Sequence, residues 1–478
     1  MKSFKIITII LLTLLLFLAA CADEQSEPQV MQENNPDSIE TTTAEPEREI
    51  PALDMKGKSV TVLTAGWWDA ETMVITDICP DEITGEPLND AAYDRKIKIE
   101  EKYNCAITHI PGSYEPSDDV SKLQRSVKAG DHAYDVAMMR GINFTTLLTG
   151  NYLLELGELE YIEFDNPWWN KNCSEALRIG GKRYGINGNI SIREISFAAL
   201  ICFNKSIIQD HGLESPYDLV KSGGWTLDKF TEMAKQTARD LNGNGVMDDE
   251  DLWGLTYDRD RVWNLINSCG VKLIEIDSDG YPQIIIDEGE NLYKIQNILT
   301  ALFDESYSAN GRRISVPFQT GRSLFRLGWA VDVVALREHD VDFGVIPLPK
   351  YNDVQAEYLP NVYGLGVPIV CVPSTVTDMD NTGLFMEAFS YEGYKSVIPV
   401  FYENILKTKS ARDSESEAMI DYIFGNLHYD TGTLLNFEGF TQQICEMAET
   451  LNTNIVSFVE KNKARVEKTI QKIMDSIE

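Results

Sequence analysis

A short apolar strand is predicted at Phe343-Gly344-Val345-Ile346-Pro347-Leu348-Pro349, and this segment indicates the class of fold. Proline cannot donate a hydrogen bond to a β ladder, so the strand is expected to end at the two prolines. A second apolar run, residues 365–372, follows shortly afterwards. Such a run is typical of a strand that is buried on both faces of a sheet.

Strands and helices alternate along most of the chain. We predict strands at residues 59–63, 106–110, 134–139, 194–204 and 252–257, and helices at 90–103, 120–129 and 226–239. After residue 382 the pattern is helical to the end, with apolar residues at helical spacing over 444–477. This alternation indicates an α/β protein with parallel sheets. At 478 residues the chain is too long for one ordinary domain, so we expect two lobes.

The first 20 residues have the features of a secretory signal peptide. Lys2 and Lys5 precede an apolar run over residues 6–18, and small residues follow it. The ending Leu18-Ala-Ala-Cys21 resembles the lipobox of bacterial lipoproteins, in which Cys21 becomes the first residue and carries acyl chains such as palmitate. An uncleaved membrane anchor is the alternative, although the run is shorter than the ~20 residues that a spanning helix needs.

Residues 21–56 are rich in acidic and small polar residues and contain little to bury, so we expect a disordered acidic tether. Without the two leader lysines, the chain keeps 40 basic and 75 acidic side chains, a net charge of −35. This charge argues against nucleic acid and against anionic lipid surfaces as partners. We therefore expect contact with the membrane through the lipid anchor alone.

Seven cysteines remain after Cys21, an odd number with no close pair, so a disulfide framework is not expected. Several lie among apolar residues and are expected to pack as small core residues.

One loop has the spacing of a calcium site. The segment from Asp240 to Asp251 matches D-x-[DN]-x-[DN]-G, with oxygen donors where calcium loops have them. The expected ligands are Asp240, Asn242, Asn244, the backbone carbonyl of Val246, Asp248 and Asp251. A structural Ca²⁺ would offset the clustered carboxylates. The alternative is a solvated acidic loop.

Aromatic residues follow several predicted strands, where ligands bind in α/β sheets. Flat rings beside carboxylates and arginines suit a sugar, which has apolar C–H faces and a rim of hydroxyls. Core packing is the alternative for each tryptophan. The expected ligand-binding residues are Trp67, Trp68, Arg140, Trp263, Trp329 and Asp332.

Catalytic motifs are missing from the sequence. It contains no G-x-S-x-G, no H-E-x-x-H and no phosphate-binding or dinucleotide loop, and its five histidines are scattered singly. We therefore expect a binding protein rather than an enzyme. Acidic pairs are too abundant to exclude a glycoside hydrolase.

Five segments together resemble one protein family. They are Tyr134-Asp-Val136 with Gly150-x-x-Leu153-x-x-Leu156, Gly181-Lys-Arg-Tyr-Gly-Ile186 with Phe203-Asn-Lys205, Trp225-Thr-Leu-Asp-Lys-Phe230, Gly321-Arg-Ser-Leu-Phe325 followed by residues 342–351, and Ala388-Phe-Ser-Tyr-Glu-Gly-Tyr394. In this order the segments make the chain similar to the extracellular solute-binding lipoproteins of family 1, the carbohydrate-type ABC importers, in a form common in Clostridia.

The resemblance implies a two-lobe periplasmic-binding-protein-like fold with crossing hinge strands and a helical C-terminal region. The first lobe would comprise residues 57–187 with 358–402, and the second 188–357 with 403–478. Such a protein would be a monomer on the extracytoplasmic face of the cell membrane. It would capture a sugar or oligosaccharide between the lobes and deliver it to ABC permease subunits. The alternatives are a surface glycoside-degrading lipoprotein and a sensory or adhesion lipoprotein.

Overall fold

The computed structural model describes residues 50–66, 78–113, 115–310, 315–336, 338–407 and 413–477. The strands are β1 (Lys58–Thr64), β2 (Cys105–Ile110), β3 (Val136–Arg140), β4 (Arg178–Ile179), β5 (Lys182–Arg183), β6 (Ala199–Asn204), β7 (Trp253–Tyr257), β8 (Ile274–Ile276), β9 (Pro282–Ile284), β10 (Ser308–Asn310), β11 (Ser323–Trp329), β12 (Phe343–Ile346) and β13 (Pro368–Cys371).

The helices are mostly short. They are α1 (Pro87–Tyr103), α2 (Pro116–Ala129), α3 (Gly141–Leu148), α4 (Lys171–Ala176), α5 (Arg193–Ser196), α6 (Lys205–His211), α7 (Pro216–Lys221), α8 (Leu227–Thr237), α9 (Val262–Ser268), α10 (Asn291–Leu302), α11 (Ser315–Gln319), α12 (Ala330–Leu336), α13 (Met379–Glu392), α14 (Ser414–Gly425), α15 (Thr431–Leu434), α16 (Phe440–Glu446) and α17 (Ile455–Ile477). Two π-helical segments, Gly393–Val397 and Val400–Lys407, lie between α13 and α14.

The first sheet has the strand order β13-β3-β1-β2, and the elements packed on it are called the first lobe. β1 pairs in parallel with β2 and β3, whereas β13 runs antiparallel to β3. Alternate residues of β3 point to opposite faces. Val136 and Met138 therefore join one apolar cluster, while Ala137 and Met139 join the other. Because both faces of β3 and β13 are covered, these two strands consist mostly of apolar residues, whereas β1 and β2 also carry polar and partly exposed residues.

The second sheet has the order β10-β7-β11-β6-β12, and its elements form the second lobe. β7 is parallel to β10 and β11, while β6 is antiparallel to β11 and β12. The sheets are therefore mixed: each contains the parallel pairs expected from the alternation of strands and helices, and antiparallel pairs beside them. The strand predicted over 343–349 ends at Ile346, before the first proline, as expected.

Two chain segments cross side by side between the sheets. At the first sheet, Ile186 pairs with Val370, and at the second, Ala198 pairs with Val362. The strand predicted over 194–204 begins only at Ala199, because the residues before it form the single helical turn α5. The helix predicted over 444–477 is interrupted in the structure. Residues 447–449 form a 3-10 turn, 450–454 form a loop, and α17 begins only at Ile455.

All seven cysteines of the described residues are free thiols, and six of them are buried. None of the helices in the described ranges combines the length and apolar composition that crossing a membrane requires.

Candidate functional site

The ends of several strands meet at the crossing segments. β3 ends at Arg140, and β11 ends at Trp329. The carbonyl of Ala65, just past β1, accepts a 3.0 Å hydrogen bond from the Arg193 guanidinium on the crossing turn α5. The region between the two sheets therefore receives side chains from both lobes and from the hinge.

Arg140 is the main charged group from the first lobe and is only 2% exposed. Burial lowers the pKa of its guanidinium to about 10, while Tyr363 on the second crossing segment and Asp260 in the second lobe oppose that shift. These groups lie near enough to act on one another electrostatically. The charge of Arg140 is therefore coupled to a group of the second lobe and to a group of a crossing segment.

Asp332, in the first turn of α12, is a carboxylate shared between two arginines. One oxygen lies 3.0 Å from Arg261 Nη2 and the other 3.4 Å from Arg326 Nη2. The backbone N–H of Trp329 donates a further hydrogen bond of 2.8 Å. Burial alone would raise the pKa of this carboxyl, but the two arginines and the N–H more than offset it, and the net shift is downward. Asp332 is therefore an ionised group that fixes Arg261.

Trp329 lies in a column of flat groups. The guanidinium carbon of Arg261 is 3.5 Å from the indole centroid, and the Tyr363 ring stacks on the indole at 4.5 Å and 27°. The indole N–H donates to Asn264 Oδ1 at 3.2 Å. Only 4% of the Trp329 surface is exposed in this conformation, because Arg261 and Tyr363 both pack against the indole ring.

Trp263 lies in α9, directly before Asn264, and is 2% exposed. Its indole N–H donates to Asp430 Oδ2 at 3.0 Å, and the same carboxylate caps α15 by accepting from the Thr433 N–H. This packing ties α9 to α15. Trp67 and Trp68 lie outside the described residues.

Of the six residues expected from the sequence, the structure thus joins Trp329 and Asp332 by a hydrogen bond, and Tyr363, which stacks on Trp329, acts on the pKa of Arg140. Sequence reasoning missed Tyr363 and the pair Asp260 and Arg261. The run Asp258-Arg-Asp-Arg261 directly after β7 was the available signal, because alternating charges at a strand end are exposed to the ligand side of a sheet.

The calcium-type loop forms a compact hydrogen-bonded turn. The Asp240 carboxylate accepts from the N–H groups of Gly243 (2.6 Å) and Gly245 (2.8 Å). The buried Asp251 carboxylate accepts from the N–H groups of Leu241 and Asp248, both at 2.8 Å. Gly245 has a φ of +81°, which glycine adopts without strain. The loop is therefore held in its turn by two of its own carboxylates.

The side-chain donors of this loop fit Ca²⁺ in type, but they bond to one another. The amide nitrogens of Asn242 and Asn244 donate to the Asp248 carboxylate, at 3.2 and 2.8 Å. Across the described ranges no group of three or more His, Cys, Asp or Glu side chains converges as around a metal ion.

Comparisons with known proteins show the fold. No protein-family model and no curated protein matches the sequence. Among solved structures, an ABC substrate-binding protein from Listeria monocytogenes in complex with cycloalternan is similar, with 12% identity and a TM-score of 0.54 over 88% of this chain and 99% of that one. A cyclo/maltodextrin-binding protein complexed with maltotetraose has 14% identity and a TM-score of 0.55 over 88% and 96%.

A solute-binding protein of an ABC transporter from Thermotoga lettingae, bound to α-D-tagatose, has 15% identity and a TM-score of 0.55 over 87% of this chain and all 100% of that one. At these identities the comparisons establish the architecture alone. The chain has the two-lobe periplasmic-binding-protein-like fold, as expected from the sequence.

Proposed function

We propose that this protein is a solute-binding protein of an ABC importer that captures a sugar or oligosaccharide between its two lobes. The observation that carries the proposal is the group of side chains at the crossing segments, where Tyr363 stacks on Trp329, Arg261 covers the same indole, and the charge of Arg140 acts on Tyr363 and Asp260. Aromatic rings offer faces to sugar C–H groups, while guanidinium and carboxylate groups bond the hydroxyls.

Capture would involve a hinge motion of the two lobes about the crossing segments. A ligand shifts the equilibrium between the open and closed forms only as far as it binds the closed form more tightly than the open form. Arg140 is 2% exposed in this conformation, so the lobes must separate before a solute can reach it. The closed form is the one expected to dock on the permease subunits.

The remaining parts of the proposal concern location and metal. Cys21 would carry the lipid that holds the protein, as a monomer, on the extracytoplasmic face of the cell membrane, with residues 21–56 as its tether. The calcium-type loop would bind a structural Ca²⁺ through Asp240, Asn242, Asn244, Val246, Asp248 and Asp251, because its backbone turn and donor types fit that ion. The protein would perform no catalysis on its solute.

The test compares Arg140→Gln with Arg125→Gln, an exposed arginine on α2, in the chain from residue 21 onward with Cys21→Ser. A thermal-shift screen of mono- and oligosaccharides finds the ligand, since a ligand at 100 times its Kd adds about 2.7 kcal/mol of stability. We expect Arg140→Gln to weaken binding of that sugar at least tenfold and Arg125→Gln to leave it unchanged. Equal affinities in the two variants would remove this group of side chains from the binding site.

A further inference from the structure

A short segment of the second lobe also lies against the first lobe. Residues 427–436, which we call the interlobe strap, follow α14 and contain the turn α15. The backbone N–H of His428 donates to the Pro360 carbonyl at 2.8 Å, and the indole of Trp263 donates to Asp430. Trp263 lies on α9, and Pro360 lies where the second crossing segment leaves the second sheet. The strap is therefore anchored in the second lobe.

Helix α4 of the first lobe bonds to the strap at two places. Asn172 Nδ2 donates to the Leu427 carbonyl at 2.9 Å. The Thr431 hydroxyl donates in the opposite direction, to the Ala176 carbonyl, also at 2.9 Å. Because α4 moves with the first lobe and the strap with the second, a separation of the lobes breaks both hydrogen bonds.

Helix α3 of the first lobe contacts the other end of the strap. The Thr145 hydroxyl donates to the Leu435 carbonyl. Gly141, the first residue of α3, lies so close to the strap that a Cβ atom there would be 2.9 Å from the Leu434 carbonyl oxygen. At this point the two backbones touch, and no layer of water separates the first lobe from the strap.

Tyr429 of the strap joins the two lobes and the first crossing segment. Its hydroxyl accepts a hydrogen bond of 2.9 Å from Asn170 Nδ2 of the first lobe and donates to the Glu194 carboxyl on the crossing turn α5. Every strap residue from Tyr429 to Asn436 is buried. Hydrogen bonds that are shielded from water are electrostatically stronger than exposed ones, so these contacts favour the closed arrangement of the lobes.

We propose that the interlobe strap is a latch that holds the two lobes together in the chain without solute. The contacts described above are made by groups of the chain itself, so closure through the latch requires no ligand. Release of the latch then precedes the entry of a solute between the lobes, and this consequence rests on the proposed function.

The test measures the separation of the lobes with no solute present. Spin labels are attached at one exposed position of each lobe, Ala129→Cys on α2 and Gln236→Cys on α8, in the chain from residue 21 onward with Cys21→Ser. Cys79, the cysteine of the described residues that is not buried, is replaced by serine. Double electron–electron resonance then gives the distribution of distances between the two labels.

The latch variant Asn172→Ala, Thr431→Val removes both hydrogen bonds to α4. Its matched control is Asn291→Ala, Thr300→Val, which removes one amide and one hydroxyl hydrogen bond to backbone carbonyls within the second lobe. Thr145→Val removes the hydrogen bond at α3 and gives a second, independent variant, so the test remains decisive if the double latch variant does not fold.

In the parent protein and the control we expect a single distance, equal to the separation of the two lobes in this structure. Each latch variant should show a second, longer distance, with the ratio of open to closed molecules raised about threefold for each hydrogen bond removed. A parent protein that already shows the longer distance, or latch variants that keep the single distance of the parent, would refute the latch. Since no solute is used, that failure leaves the proposed function to its own test.

Discussion

Glu194 lies buried in the hinge turn α5, and its replacement by glutamine gives the sharpest test of the crossing geometry. The side chain is 3% exposed, and its carboxyl accepts a hydrogen bond from the Tyr429 hydroxyl. Asn170 of the first lobe donates to that hydroxyl in turn, at 2.9 Å. Burial raises the pKa of the Glu194 carboxyl to about 7, although the hydrogen bonds from Tyr429 and Asn170 oppose the shift.

The effect on stability follows from proton linkage. Between pH 4.5 and about 7 the folded protein keeps the proton on Glu194, whereas the unfolded chain releases it. The free energy of unfolding therefore falls as the pH rises through this window. A shift of this size corresponds to about 3 kcal/mol, at 1.36 kcal/mol for each pKa unit. Glu194→Gln keeps an oxygen acceptor for Tyr429 and removes the ionisation.

The assay is urea unfolding of the parent protein and of Glu194→Gln from pH 4.5 to pH 8, followed by tryptophan fluorescence. The stability of the variant relative to the parent should rise by about 3 kcal/mol over this range. Glu288→Gln, at an exposed glutamate, is the control and should show no such trend. If the Glu194 variant and its parent keep a constant difference at every pH, the carboxyl titrates normally and the packed hinge described here is incorrect.

Three further predictions concern other parts of the protein. Asp332→Asn leaves Arg261 and Arg326 without their shared carboxylate and should lower the free energy of unfolding by about 3 kcal/mol, measured by urea unfolding; a loss under 1 kcal/mol would contradict the ion-pair account. Chelation should lower the melting temperature of the parent protein measured by calorimetry but not that of Asp240→Asn, and no shift in either protein would argue against a calcium site. In fractionated cells Cys21→Ser should move the protein from the membrane to the soluble fraction, and continued membrane association would refute the lipid anchor.

Much of the fold follows from local patterns. β1, β2 and β3 lie within a residue or two of their predicted positions, because β-branched and apolar residues are frequent in all three segments. The hinge turn α5 was mistaken for a strand. Three of its four residues are polar, so the strand prediction rested on the apolar run that begins at Phe197 and was extended too far back.

The site was harder to predict than the fold. Arg140, Trp329 and Asp332 were accessible from the sequence because they end or follow strands. Tyr363 carries no local signal, since it lies on a crossing segment that meets Trp329 only after both lobes have formed. The sequence also did not predict which tryptophans pack in the core and which could contact a ligand. Whether an indole faces a ligand or a neighbouring ring depends on contacts between distant segments.

Titration calorimetry of the chain from residue 21 onward, with Cys21→Ser, tests the central claim most directly. The solutes are a panel of mono- and oligosaccharides in calcium buffer, and mass spectrometry of each mixture follows the titration. The account predicts that at least one saccharide binds with one site per chain and is recovered intact. No binding by any saccharide, or recovery of cleaved sugar, would contradict it.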